Sequence, residues 1–287
     1  MTKDNPFTAV IYLAWLPYGM EHFKRFIDSY QCFDADYEHQ LVIVFNGMTL
    51  AHPDKPKAYL AYLEYRGVPA YRCLYYANGQ DIEIYRKVAR EIAAVYILFF
   101  NTYSTILASH WLKYYMQNFD DQTGIIAATG SYQSYYSSVF QKQAGGLEAA
   151  KGLLYNFRKY KLFVKAFIYW RFLFKPFPNP HIRTSAFMVK KDIFIELKKG
   201  IIDTKLKAYR FENGRNGLTG FYLAKGLKIL VVDRFGKTYL PADWKSSNTF
   251  WINNQENLLI GDNQTAVYSN ATAEEKTEMS RLAWGTK

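Results

Sequence analysis

The segment Val95-Tyr-Ile-Leu-Phe-Phe-Asn-Thr-Tyr-Ser104 passes directly from an apolar run into small polar residues. Asn101, Thr102 and Ser104 are neutral groups that can exchange hydrogen bonds with hydroxyls or phosphate oxygens. They suit a hard divalent cation poorly, because such ions want carboxylate oxygens. The competing reading makes Asn101 and Ser104 caps of a helix that starts near Thr105. Glu212 stands between basic residues in Arg210-Phe-Glu-Asn-Gly-Arg215. It could take a proton, or it could sit near a helix N-terminus, balanced by the dipole and by Arg210 or Arg215. Asp81 follows Ala77-Asn-Gly-Gln80 and reads as an N-cap, as a base or as a hydroxyl contact. Asp262 and Asn263 lie in an amide-rich loop that suits hydroxyl recognition or turns. Trp15 either stacks on a ring or closes the sheet.

A buried parallel strand emerging into a polar loop has the pattern of 95–104, and such strand ends bind ligands in open α/β sheets. Two more junctions of this kind precede it, Ala9-Val-Ile-Tyr-Leu-Ala-Trp15 and Leu41-Val-Ile-Val-Phe-Asn-Gly47. Together they predict one sheet with a row of loops along its C-terminal edge. Helices are expected over 20–30, 56–65, 81–94 (with Asp81 as N-cap), 106–118, 192–199 and, interrupted by glycines, 205–225. Strands are expected at 8–15, 41–46, 70–75, 95–100, 124–129, 181–189 and 228–233. This alternation predicts a mainly parallel sheet with helices on both faces. A polar, Asn-rich extension from Asp243 closes in a helix over 273–284.

Residues 151–175 differ from the rest. Seven Lys or Arg mix there with nine aromatics, and no Asp or Glu occurs between Ala149 and Lys191. Such a stretch suits an anionic bilayer surface, a phosphate-rich acceptor or RNA; equally, its aromatic face packs inward while its cations are solvated. The whole chain carries 36 Lys and Arg against 25 Asp and Glu, a net charge of +11, which favours anionic partners without choosing among them.

Several classes lack support. Cys32 and Cys73 give neither a disulfide framework nor metal spacing, and fit a reducing compartment. The histidines at 22, 39, 52, 110 and 181 show no ligand spacing. Gly-x-Ser-x-Gly, P-loop and Gly-x-Gly-x-x-Gly motifs are absent. The N-terminal residues do not form a secretory signal, and the longest apolar run, 92–100, is about half of a membrane span. No nucleic-acid motif is recognised.

The order of elements resembles the GT-A fold of nucleotide-sugar-dependent glycosyltransferases. Three features carry the resemblance: the opening strand, helix and strand with Ala14, Trp15, Asn46 and Gly47 at their loops; the strand end at 99–104; and Arg210-Phe-Glu-Asn-Gly-Arg-Asn-Gly-Leu-Thr219 before Ala224-Lys-Gly-Leu-Lys-Ile-Leu-Val-Val232. The C-terminal text 251–265 with Ala283-Trp-Gly285 is similar to bacterial surface-polysaccharide proteins. The resemblance implies an α/β, GT-A-like, mainly parallel twisted sheet flanked by helices, as one domain over 1–287. Residues 1–130 would bind the nucleotide sugar, 131–180 would form the basic aromatic helical insertion, and 181–287 would supply the acceptor side and the extension.

The resemblance also implies a nucleotide-sugar donor and a glycan or lipid-linked acceptor, with Glu212 as the base of an inverting transfer. Ala14, Trp15, Asn46, Asp81, Asn101, Thr102 and Ser104 would hold the donor. The family's Asp-x-Asp metal motif reads Asn101-Thr-Tyr-Ser104 here. Metal independence is therefore expected and no cofactor, although Mg or Mn is the alternative. Arg183, Arg210 and Arg215, with His181, become the candidates to neutralise the diphosphate, and Asp262 and Asn263 to meet the acceptor. Lost activity, leaving a glycan- or nucleotide-binding module of an assembly complex, is the rival reading. The expected location is cytoplasmic, peripheral at the inner membrane face through 151–175, with no nucleic-acid partner.

Overall fold

The computed structural model describes residues 7–48, 54–137, 164, 168–197 and 200–285. Most of the basic aromatic segment, 151–163 and 165–167, therefore lies outside the described residues. The first strands are β1 (Thr8–Trp15), β2 (Gln40–Asn46), β3 (Tyr71–Tyr76) and β4 (Tyr96–Phe100). Between them lie α1 (Glu21–Cys32), α2 (Lys55–Tyr65) and α3 (Asp81–Glu91). Next come β5 (Thr105–Ile106), α4 (Trp111–Gln117), β6 (Thr123–Ala127) and β7 (Gly130–Ser131). Further along the chain follow β8 (His181–Ile182), β9 (Ala186–Lys190), α5 (Lys191–Glu196), α6 (Lys205–Asn213) and α7 (Leu218–Ala224). The chain ends with β10 (Lys228–Val232), β11 (Thr238–Tyr239), β12 (Ile260–Gly261), α8 (Asn263–Asn270) and α9 (Ala273–Trp284).

Eight strands form the central sheet in the order β11-β10-β6-β9-β4-β1-β2-β3. Strand β1 runs parallel to β2 and β4, β2 to β3, and β10 to β6, so the sheet is mainly parallel, as expected. Its central strands are apolar on both faces because helices cover both. Along β1, Ala9, Ile11 and Leu13 enter one core with α3, α5, α6 and α7. Val10, Tyr12 and Ala14 enter the other with α1, α2 and α4. On α1, Phe23, Phe26 and Ile27 recur at helical spacing and are buried.

Four expectations need correction. The strand predicted over 181–189 is two strands, β8 and β9, separated by a turn through Arg183–Ser185, and β9 inserts antiparallel between β4 and β6. The helix predicted over 106–118 begins only at Trp111, because Thr105 and Ile106 pair antiparallel with Gly261 and Ile260 from the extension. Periodicity cannot register a partner more than 150 residues away. Asp81 is the first helical residue rather than the cap; Gln80 holds that position, without a side-chain capping bond. The 205–225 helix breaks into α6 and α7 around Gly214 and Gly217.

Phe99 lies at the centre of the stack, fully buried, with Tyr85, Phe187 and Phe194 rings at 4.6, 5.2 and 5.3 Å. Phe99→Ala is expected to cost about 3–5 kcal/mol in urea unfolding, from lost burial plus the cavity left behind.

Candidate functional site

A cleft of about 510 Å³ opens at the C-terminal edge of the parallel strands. Trp15 from the end of β1, Asp81 from the start of α3, Thr102 and Tyr103 after β4, and Glu212 on α6 all line it. Residues on α6 enter at Lys205, Ala208, Tyr209 and Glu212, one helical face at i, i+3, i+4 and i+7. The sequence-named Trp15, Asp81, Thr102 and Glu212 thus converge although 197 positions separate the first from the last.

The turn between β8 and β9 fixes Glu212. Thr184 donates to Glu212 Oε1 through its amide at 2.8 Å and its hydroxyl at 3.2 Å. Glu212 Oε2 has no hydrogen-bond or ion-pair partner among the described residues, and neither Arg210 nor Arg215 pairs with it there. Beside it Asn213 is buried and fully engaged. Asn213 Oδ1 accepts from Asn179 at 2.8 Å, and Nδ2 donates to the Gln133 carbonyl at 3.0 Å and to His181 Nε2 at 3.2 Å.

Other candidates are placed elsewhere. His181 is buried, its Nδ1 donating to the Asn179 carbonyl at 2.8 Å. Burial lowers its pKa, so it is a neutral structural group and not a phosphate contact. Arg183 Nη1 sits 2.7 Å from Asp262 Oδ2, with the guanidinium over the Phe250 ring. Neither atom makes an aligned hydrogen bond, so the contact is a buried ion pair. Asp262 also caps α8 in a capping box with Thr265. Arg183 is therefore not an open cation of the cleft, and Asp262 is a helix cap. Asp262 and Asn263 both line a neighbouring cavity of about 430 Å³ with His22, Arg25 and Tyr103, the last of which it shares with the cleft. Arg210 and Arg215 line another, on the far side of α6.

The polar loop after β4 also differs from expectation. Asn101 Oδ1 accepts from the Tyr103 amide and the Ser104 hydroxyl, both at 3.0 Å, and Ser104 Oγ also reaches the Ser185 carbonyl at 3.0 Å. These two side chains shape the loop and do not line the cleft. They cap no helix. Thr102 Oγ1 donates to the Leu13 carbonyl at 2.8 Å and accepts from the Trp15 amide at 3.1 Å, stapling the loop to β1. Asn46 is fully buried, donating to the Gly79 carbonyl at 2.8 Å, and Ala14 is buried; neither lines the cleft. Gly47 (φ +85°) needs its lack of a side chain, since a Cβ there would lie 2.7 Å from Pro17 Cδ.

Sequence reasoning missed Tyr18, Tyr103, Thr184, Lys205 and Tyr209. Tyr103 stands inside the singled-out segment but offers a ring where polar contacts were sought. The Tyr18 ring lies 5.4 Å away, and burial with the Tyr18 hydroxyl pushes the Tyr103 phenol up to about 12, leaving it a neutral donor. Lys205 has no ion pair among the described residues. A divalent ion would find few ligands: Asp81 and Glu212 are the carboxylates lining the cleft, and Glu212 Oε1 already accepts twice. The oxygens of Asn101 and Ser104 are committed to the loop. Among the described residues no three His, Cys, Asp or Glu gather as a metal site. The residues present do not fit a hard cation.

No family model and no curated protein matches the chain. Solved structures match in shape. The mannosyltransferase PcManGT from Pyrobaculum calidifontis, in complex with GDP-Man and Mn2+, aligns over 68% of this chain and 47% of its own, at 12% identity and a TM-score of 0.41. Mouse xyloside xylosyltransferase 1 aligns over 77% of this chain and 81% of its own, at 8% identity and 0.41. The bifunctional glycosyltransferase WbbM covers 98% of this chain, which spans 45% of WbbM, at 9% identity and 0.41. The chain spans less than half of PcManGT and of WbbM. Likenesses this distant decide nothing about what the cleft binds.

Asp81 is exposed at the cleft, yet the protein around its carboxyl thins the bulk water there and raises it to about 6. The folded value exceeds the unfolded one, so folding penalises the carboxylate. The penalty vanishes below about pH 4, where both states are protonated, and is complete above pH 6. Asp81→Asn is therefore expected to raise Tm at pH 8 and leave it unchanged at low pH. Equal shifts at both ends, followed by scanning calorimetry, would contradict this account.

Proposed function

We propose that the chain is a glycosyltransferase that moves a sugar from a nucleotide-sugar donor to a glycan or lipid-linked acceptor. The observation that carries this is the convergence of Glu212 with Trp15, Asp81 and the Thr102–Tyr103 loop in one cleft at the strand ends. Trp15 and Tyr18 offer rings to a nucleobase, and Asp81 a carboxylate to ribose hydroxyls. Glu212 Oε1 is anchored by Thr184, which leaves Oε2 to act as base.

In the reaction, the acceptor hydroxyl oxygen attacks the anomeric carbon as Glu212 takes its proton. The bond to the diphosphate oxygen breaks, and the nucleoside diphosphate leaves with the electron pair. Attack opposite the leaving group inverts the centre. Lys205 is the cation available for the departing diphosphate, since preorganised positive charge stabilises such a leaving group. With the donor set unsuited to a divalent ion, transfer is proposed to be metal-independent. Synthesis of a bacterial surface polysaccharide, on the cytoplasmic face of a membrane, is the proposed setting; among the described residues no helix is long and apolar enough to cross one.

The self-satisfied loop 101–104 favours a second reading, a binding module without turnover. A thermal-shift panel of UDP, GDP, CMP, dTDP and their sugars, with and without Mg²⁺, tests both, because ligand bound to the native state raises Tm. One nucleotide sugar should raise Tm equally with and without metal. No shift with any of them overturns both the donor assignment and the nucleotide-binding module.

Glu212→Gln is expected to lower kcat by about 10²–10⁴-fold, the range of general-base contributions, while leaving the nucleotide shift intact. Donor binding with no wild-type turnover would assign the binding module instead. Lys205→Ala should weaken donor binding and slow transfer together.

A further inference from the structure

Helix α6 also lines a second cavity. Lys207, Arg210 and Phe211, with Gly214 just past the helix end, follow the spacing of the cleft-lining set displaced by two residues, which is about 200° of rotation. They line a cavity of about 280 Å³ on the side away from Glu212, together with Arg215, Phe172 and Ile201. No acidic residue lines it among the described residues. Lys207 pairs with exposed Asp203 at 2.8 Å, and Arg215 Nε donates to the Arg171 carbonyl at 2.9 Å. Arg210 has no ion pair or side-chain hydrogen bond among the described residues.

The rim is apolar and open. Phe172 is 75% exposed and Ile201 70%. Both belong to described parts of the chain that pack well on their other side: Trp170 stacks on Tyr135 at 4.9 Å, and Phe174 and Ile202 are buried. Exposed side chains this large, gathered beside an acid-free basic cavity, mark an interaction surface and not a solvated helix face.

We propose that this face docks on the surface of an anionic bilayer, with the cavity receiving a lipid phosphate. Charge complementarity chooses the occupant. Guanidinium groups of Arg210 and Arg215 pair with phosphate oxygens, and Phe172 and Ile201 enter the acyl boundary beside the head group. RNA would use the cations but gives the aliphatic Ile201 no partner. The docking does not rest on the transferase reading. It would place the Glu212 cleft one helix diameter, about 10 Å, from the bound phosphate.

Cosedimentation of the full chain with vesicles tests the proposal, using phosphatidylcholine alone and phosphatidylcholine mixed with phosphatidylglycerol. Wild type should bind only the anionic vesicles. Arg210→Glu and Phe172→Asp should each weaken binding about tenfold. Lys57→Glu, an equal charge change at an exposed position on α2, should not. Both tested side chains are exposed, so unchanged circular dichroism and Tm are expected of each variant. The proposal fails if wild type stays in the supernatant. It fails if Lys57→Glu loses as much binding as Arg210→Glu, which would assign the effect to diffuse net charge. It fails too if Phe172→Asp binds vesicles normally while Arg210→Glu loses affinity for an RNA oligonucleotide. No donor sugar enters these measurements, so their failure and that of the transfer reading are separable.

Discussion

The tie between α6 and the turn after β8 governs the cleft. Thr184 holds Glu212 by two hydrogen bonds, and Asn213, one residue on, occupies every polar atom of its side chain in a buried network with Asn179, Gln133 and His181. A buried amide left unpaired costs about 1–3 kcal/mol, so the network admits one arrangement of this helix end. Its geometry requires neutral His181, whose Nε2 must accept from Asn213; burial favours that same form. Gly214 completes the constraint, because a Cβ there would lie 2.3 Å from the Arg210 carbonyl oxygen. Removing that close approach would move the end of the helix, and Glu212 with it.

The opposite wall is built on the same rule. After β4 the chain turns within a few residues, and Asn101, Thr102 and Ser104 spend their hydrogen bonds on the loop itself, on β1 and on Ser185. Tyr12 adds a bond from its hydroxyl to the Thr102 carbonyl at 2.8 Å. A loop so tied presents its ring, Tyr103, and little else. The charged groups left for a ligand are then Asp81, Lys205 and the second oxygen of Glu212, each carried on a helix. Positioning and ligand contact are divided between different residues, which is why neutral loop residues can be necessary without touching a substrate.

Helix α6 also separates two environments. One face carries a carboxylate into the cleft and the other carries cations into an acid-free cavity, with only a 200° rotation between the sets. Two cavities lined by one helix hold their spacing without a hinge.

The alternation of apolar strands and amphipathic helices determined the mainly parallel sheet, its two cores and the row of loops at its edge. The sharp ends of 9–15 and 95–104 also lead into the cleft, and Trp15, Asp81 and Thr102 were legible as residues near strand and helix ends, whereas the end of 41–47 contributes nothing to it and Glu212, expected near a helix N-terminus, stands in the last turn of α6. The tertiary structure decided the rest. It turned Arg183 toward Asp262, buried His181 and Asn46, gave Asn101 and Ser104 to their own loop, and sent Arg210 and Arg215 to the far side of α6. Pairing of β5 with β12 displaced a helix that local periodicity favoured, and β9 entered the sheet antiparallel. Periodicity is a local property of the chain, whereas a polar side chain's partner is set by whichever distant donor or acceptor the fold brings within about 3 Å.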